Sequence, residues 1–546
     1  MRIVLLPAIL LANVLLSPLV GSAAPEVTYL YPAGGQRGQT VEITAGGEFS
    51  EWPVGVWTSD TATSATPLEE KGKLKIEVGD TAAPGLIWLR LYDKTGAAAA
   101  RPWMIGTVPE AVEREPNDKA STAQELEFDP DVPQTIIVNG KLQKSGDVDV
   151  FSLPARAGKT LVADLDAQAT FLSPFDGVMQ ILRPDGFVAG HNDDQQQLDP
   201  RLAIDLPTDG RWMVRIFSFP EKPNNIVQIS GKETYVYRLT LSTGPVVNYA
   251  IPMAANRGQI NHWQLIGWNL TTDLQEISLA PPDDAVDIFL ANDKIGRSIR
   301  LPIVDSQILV ESEPNSTVEP TKIELPKSIT GRIDESGDRD AFQFDAVKGE
   351  QLVIKIESRE LGYPLDPVLE LVDAADKSLA RVDDSSGGRD AQISYKVDAD
   401  GPLRLIISDL HNSGGTDFVY RVSIERVKPS YRLIADAHQA IVKAGESTDV
   451  TLAVDRSHGF DQPILVSVNG LPEGVTAATL TSKVGDDSAS KVVLSLVAAA
   501  DTPATSVPIR IVGEVKSAVS TPTRFVVPGH PQGLTEMWLT VTLQAN

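Results

Sequence analysis

Glu113-Arg114-Glu115-Pro116-Asn117-Asp118 is followed further along the chain by Gly146-Asp147-Val148-Asp149-Val150-Phe151. The same order returns at Glu311-Ser312-Glu313-Pro314-Asn315-Ser316 and Gly337-Asp338-Arg339-Asp340-Ala341-Phe342. From Asp147 to Gly158 the first copy matches Asp338 to Gly349 at a constant offset, with Phe151 paired to Phe342 and Leu153 to Phe344. Behind them Leu161, Ala163 and Leu165 alternate as Leu352, Ile354 and Ile356 do. One residue then drops out, so that Phe175-Asp176-Gly177-Val178 matches Leu365-Asp366-Pro367-Val368. Each copy closes on a Tyr-Arg strand, at 237–241 and 420–424. A whole module is therefore repeated, and the repeat sets the architecture.

Outside the repeat, apolar residues also recur at every second position, in runs bounded by Gly, Pro, Asn and Asp. That pattern predicts strands, and helix signals are scarce. The fold class expected is all-β: tandem β-sandwiches, jelly-roll-like and immunoglobulin-like. Residues 25–110 begin with Tyr29-Leu30-Tyr31-Pro32-Ala33-Gly34-Gly35, then Arg37-Gly38-Gln39 and Gly46-Gly47-Glu48-Phe49, with later strands at 73–78 and 86–92. This Pro-turn, Gly, strand, Gly order resembles the IPT/TIG class of immunoglobulin-like domains. A shorter copy opens at Ile251-Pro252-Met253 and Arg257-Gly258-Gln259; because Pro252 lacks the Gly pair that follows Pro32, its turn is expected to differ. After residue 428 alternating runs such as Val450, Leu452, Val454 and Ile464, Val466, Val468 read as an immunoglobulin-like sandwich.

The repeated module itself resembles the bacterial pre-peptidase C-terminal domain. The resemblance is carried by Glu-x-Glu-Pro-Asn-Asp, Gly-Asp-x-Asp-x-Phe, the Leu-Asp-x-Val strand and the final Tyr-Arg strand, over 111–244 and 310–427. That family is a jelly-roll-like sandwich of secreted proteins, and its relatives include the calcium-binding, collagen-binding domains of clostridial collagenases. Alternation of such modules with IPT/TIG-like ones is similar to large secreted proteins of planctomycete-type bacteria. The expected division is a signal peptide at 1–23, then modules at 24–110, 111–244, 245–309, 310–427 and 428–546.

Composition bounds the function. Arg2, the apolar run from Ile3 to Leu16 and the small residues Gly21 and Ala23 have the order of a cleaved secretory signal. Pro7 and Asn13 interrupt a run already short of the roughly 20 residues a spanning helix needs, so no membrane span is expected after cleavage. The protein is expected to be secreted or periplasmic. Zero cysteines exclude disulfides, leaving cores or bound ions to supply stability. A net charge of −25 argues against nucleic acid as a partner.

In an extended chain Glu113, Glu115 and Asn117 present oxygens to one face, and Asp147 and Asp149 share another. With Asp118 they make five carboxylates and an amide, a hard-oxygen set that suits Ca²⁺ rather than Zn²⁺. Carrying over the pattern of the collagen-binding relatives picks out the same residues. The second copy keeps Glu311, Glu313, Asn315, Asp338 and Asp340 but has Ser316 where Asp118 stands, which weakens the expected site. The competing reading is that these residues stabilise turns through side-chain-to-backbone bonds.

An enzyme is not expected. The six histidines are scattered, and no His-Glu-x-x-His, Gly-x-Ser-x-Gly or phosphate loop occurs. The expected function is non-enzymatic binding or adhesion to an extracellular polymer or exported protein. The alternatives are a structural spacer or surface-layer component, five sandwiches in series, and an accessory chain of a secreted protease system.

Overall fold

Alternation of buried and exposed side chains marks strand after strand, most cleanly at Lys491–Ala498, where every second residue is buried. The computed structural model describes residues 23–220, 228–282, 285, 287–385, 388–427, 429–435, 437–515, 521–527 and 530–543. Nearly all of it is strand, turn or irregular chain; the helical elements among the described residues are one α-helical turn, Gln168–Phe171, and three 3₁₀ turns. No described helix is long and apolar enough to cross a membrane. The signal sequence expected at 1–23 lies, but for its last residue, outside the described residues.

The two acidic modules repeat strand for strand. In the first, one five-stranded sheet runs Glu110–Val112, Thr135–Lys141, Val236–Ser242, Thr160–Asp166, Arg201–Asp205. Its facing sheet runs Gln124–Glu125, Asp149–Ala155, Gly210–Pro220, Phe175–Leu182, Val188–Asn192. The second copy has the same order, Gln307–Val310, Lys327–Arg332, Val419–Arg426, Gln351–Glu357, Gln392–Lys396, facing a sheet centred on Asp340–Ala346 and Gly401–Asp409. Phe151 and Leu153, and their counterparts Phe342 and Phe344, are buried between the sheets. The alternation that predicted these strands is thus a row of core side chains on one face.

The module that opens the described chain pairs a four-stranded sheet against a second sheet holding Gly85–Asp93 and Arg101–Gly106. The module between the acidic pair is two three-stranded sheets around Trp263. In both, a short strand after the turn, Gly34–Gln36 or Ala255–Asn256, pairs in parallel with a later strand of its module. This pairing is shared although Pro252 lacks the Gly pair that follows Pro32, and the short strand begins two residues after Pro32 but three after Pro252. The last module is a sandwich of two larger sheets with a contiguous core.

Series order in sequence does not produce a linear array in space. On Gly85–Asp93, Ile87, Leu89 and Leu91 face their own core, yet Trp88 and Arg90 on the other face are buried too. The last module covers that face. Arg90 donates to the His438 carbonyl at 3.0 Å and lies 5.6 Å over the Trp538 ring. Tyr92 and Trp57 contact the same ring at centroid distances of 4.7 and 6.2 Å. The first and last modules are packed together, which corrects the picture of extended sandwiches in series.

Candidate metal centre

The expected extended presentation of Glu113, Glu115 and Asn117 is not what forms. The strand ends at Val112, and the chain then folds over the module edge, with Glu113 and Asn117 buried and Glu115 exposed. Register explains the turn inward: the Glu113 N–H still bonds the Asn139 carbonyl at 2.9 Å, while the Asn117 carbonyl accepts from Val150 at 3.0 Å. Glu113 to Asn117 thus bridges the two sheets, Asn139 lying on one and Val150 on the other. Asp149 starts its strand and Asp147 precedes it, and both are fully buried.

Two overlapping acidic triads result, Glu113–Glu115–Asp149 and Glu115–Asp118–Asp147, with Glu115 common to both. Within each, one carboxylate oxygen per residue lies within 4.8 Å of the others. Oxygens around one Ca²⁺ at about 2.4 Å are separated by at most about 5 Å, so the spacing fits a single coordination sphere. The five carboxylates read from the sequence fall into these two triads, and Asn117 belongs to neither.

Some oxygens are satisfied by protein. The Lys141 N–H donates to Glu113 Oε2 and the Gln143 N–H to Asp147 Oδ2, both at 2.5 Å. Tyr237 donates its hydroxyl to Asp149 Oδ2 at 2.5 Å. Gln143 Nε2 donates to Glu113 Oε1 at 3.2 Å and the Asn117 N–H to Glu115 Oε2 at 3.1 Å, whereas the oxygens Asp147 Oδ1, Asp149 Oδ1 and Asn117 Oδ1 are buried without a hydrogen-bond partner. None of the five carboxylates forms an ion pair among the described residues. Buried oxygens left unpaired cost free energy, and a cation removes that cost. Burial pushes Glu113 up to about 7 and drives Asp149 well above the usual carboxylate range, with their mutual repulsion adding to Asp149. Asp147 is raised by burial as well. The residues present therefore fit a hard divalent cation.

In the second copy Glu313, Asp338 and Asp340 form one triad. Glu311 lies beside Asp340 but outside the triad, held by the Arg332 N–H, by Asn315 Nδ2 at 3.1 Å and by the Tyr420 hydroxyl at 2.9 Å. Tyr420 also reaches Asp340 Oδ2 at 2.6 Å. Burial, reinforced by Glu311, raises Asp340 to about 10. Ser316 is exposed and its hydroxyl accepts from the Glu319 N–H at 3.4 Å, as a turn residue does. This copy has one triad where the first has two.

Sequence reasoning missed the hydroxyls of Tyr237 and Tyr420. Their signal was there: each tyrosine alternates with core residues on its strand, and a buried hydroxyl needs a partner. It also missed Asp199 and Asp390, which accept three backbone N–H groups each, from 167–169 and 358–360. Three tryptophans take packing roles. Trp263 is core, Trp52 stacks edge-on against Phe49, and Trp57 meets Trp538 across the module contact.

No nucleophile, base and acid converge in one cleft among the described residues. His191 meets Gln180, the exposed His262 meets Ser278 at 2.7 Å, and His411 lies 3.6 Å from Asp366, itself paired with Arg359.

No family model matches the chain, and no curated protein matches it. Among solved structures it is similar to the pre-peptidase C-terminal domain of a collagenase from Bacillus anthracis, at 17% identity over 19% of this chain and 93% of that one, with a TM-score of 0.16. It is similar to domains 1–6 of the surface layer protein SbsC, at 10% identity over 96% of this chain and 55% of that one, with a TM-score of 0.15. The N-terminal four Ig domains of Dscam1 match at 6% identity over 96% of this chain and 98% of that one, with a TM-score of 0.20.

Proposed function

We propose that the chain is an exported, non-catalytic binding protein whose first acidic module takes a structural Ca²⁺ through Glu113, Glu115, Asn117, Asp118, Asp147 and Asp149. The observation that carries the metal is the set of fully buried, unpartnered oxygens of Asn117, Asp147 and Asp149 among carboxylates that lack an ion pair. Supporting it is the resemblance of the motif to the pre-peptidase C-terminal domain. The second copy, with Glu311, Glu313, Asn315, Asp338 and Asp340, is the weaker site: it lacks an acid at Ser316, and Glu311 is already satisfied by protein donors.

The place of the first site suggests its task. Lys141, whose N–H holds Glu113, lays its ammonium 5.1 Å over the ring of Tyr31 in the preceding module, and the Tyr31 hydroxyl donates to the Asn139 carbonyl at 3.3 Å. Burial and the charges of Glu113, Asp149 and Glu115 raise the Tyr31 phenol. A cation here stiffens the contact between one sandwich and the next. The partner is an extracellular polymer or another exported protein. A thermal melt with calcium against chelator tests the metal: the midpoint rises with calcium in the wild type and not in Asp147→Ala/Asp149→Ala. No calcium shift in the wild type overturns it. Retention on collagen, chitin or cellulose tests the binding role.

A further inference from the structure

Tyr237 and Arg238 are neighbours on one strand and so face opposite ways. Tyr237 points into the sandwich, onto Asp149, while Arg238 points out into a cavity of about 710 Å³ where four modules meet. Tyr420 and Arg421 repeat the arrangement in the second copy, and Arg421 lines the same cavity. The acid opposite each arginine is repeated too, Asp166 across from Arg238 and Glu357 across from Arg421. Six arginines and four acids line this space, in a chain whose net charge is −25. Leu86 and Met104 of the first module and Phe289 of the third give it an apolar wall. Its size is in the range of small-molecule sites.

The two copies differ in how the arginine is neutralised. Arg238 forms a buried ion pair with Glu110 at 2.5 Å and donates to the Met104 carbonyl at 3.0 Å. Strand register places Ile308 at the position of Glu110: Glu110 pairs with Ile137 two residues before Asn139, and Ile308 with Ser328 two residues before Thr330. Asn139 and Thr330 are the partners of Arg238 and Arg421. Arg421 is therefore left with Glu357, and Lys355 shares that carboxylate at 2.9 Å. One acid answers two cations. The Arg421 Nε is buried without a hydrogen-bond partner, and burial lowers the guanidinium to about 10. The exposed Arg300 and Arg389 belong to the same lining, so the space reaches solvent.

We infer that the cavity binds a small amphipathic organic anion, its charged group on Arg421 and its apolar body against Leu86, Met104 and Phe289. This site is independent of the metal centre. The test is a fluorescence titration of the full chain with 8-anilinonaphthalene-1-sulfonate, an aryl anion of the required kind, on wild type, Arg421→Gln and Ile308→Glu. The last substitution supplies the carboxylate that Glu110 supplies to Arg238. Expected are saturable one-to-one binding in the wild type and a loss of about tenfold or more in each variant, with the thermal midpoint held close to wild type. If Ile308→Glu does not fold, Arg421→Gln alone decides. The absence of saturable binding in the wild type, or equal affinity in the folded variants, overturns the inference.

Discussion

Replacing Glu113 by glutamine is expected to act in opposite directions with and without calcium. Without metal, the Glu113 carboxyl sits at about 7 against an ordinary 4.5 because it is buried among acids. At pH 8 both folded and unfolded forms are ionised, and the difference of about 2.5 units is a cost to the folded state of about 3 kcal/mol. Glutamine keeps one carbonyl oxygen as acceptor for the Lys141 N–H, gives up the second oxygen that the Gln143 side chain bonds, and carries no charge. In chelator at pH 8 the variant module should therefore be more stable, by up to about 3 kcal/mol, or roughly 10 °C for a module of this size. At pH 5 the gain should fall to about 1 kcal/mol or less, since the carboxyl is then mostly protonated in the fold. With calcium the sign reverses, because a charged ligand has been removed and the metal-induced rise shrinks. Differential scanning calorimetry at both pH values, with calcium and with chelator, reads all four corners. Destabilisation in chelator at pH 8, or a full calcium shift in the variant, refutes the reasoning.

Other outcomes follow from the same geometry. The metal-free chain should lose stability as pH rises from about 4.5 to about 7, because Glu113 and Glu311 hold protons in the fold that the unfolded chain has released; a melt series in chelator checks this, and calcium should flatten the slope. Tyr420→Phe removes the hydroxyl donor of both Asp340 and Glu311 and should cost the second acidic module about 1–3 kcal/mol, measured by denaturant unfolding of that transition. Trp538→Ala should detach the last module from Arg90, Tyr92 and Trp57; small-angle scattering should then show a larger radius of gyration, and an unchanged radius would speak against the contact.

What could be read from the sequence was what local spacing controls. The offset between Asp147–Gly158 and Asp338–Gly349 survives because both segments run from a turn through the same core strand. The acids were found because hard oxygens at two-residue spacing stand out in a chain of apolar alternation. Their grouping was not legible, since it depends on how the segment after Val112 crosses from Asn139 to Val150. The fold-back was also hidden, because Trp538 and Tyr92 lie in the last and first modules. One signal was available. The run Leu86-Ile87-Trp88-Leu89 is apolar at consecutive positions, which marks a strand buried on both faces. The contrast between Arg238 and Arg421 required the register, since Glu110 and Ile308 are equivalent only through their strand partners.

Isothermal titration of the full chain with calcium chloride tests the central claim most directly. The account expects one tighter saturable site at neutral pH, with protons released on binding as Glu113 gives up its hydrogen, and the loss of that site in Asp147→Ala/Asp149→Ala but not in Asp338→Ala. A wild-type chain that binds no calcium, or one whose binding survives the first variant and disappears in the second, would contradict it.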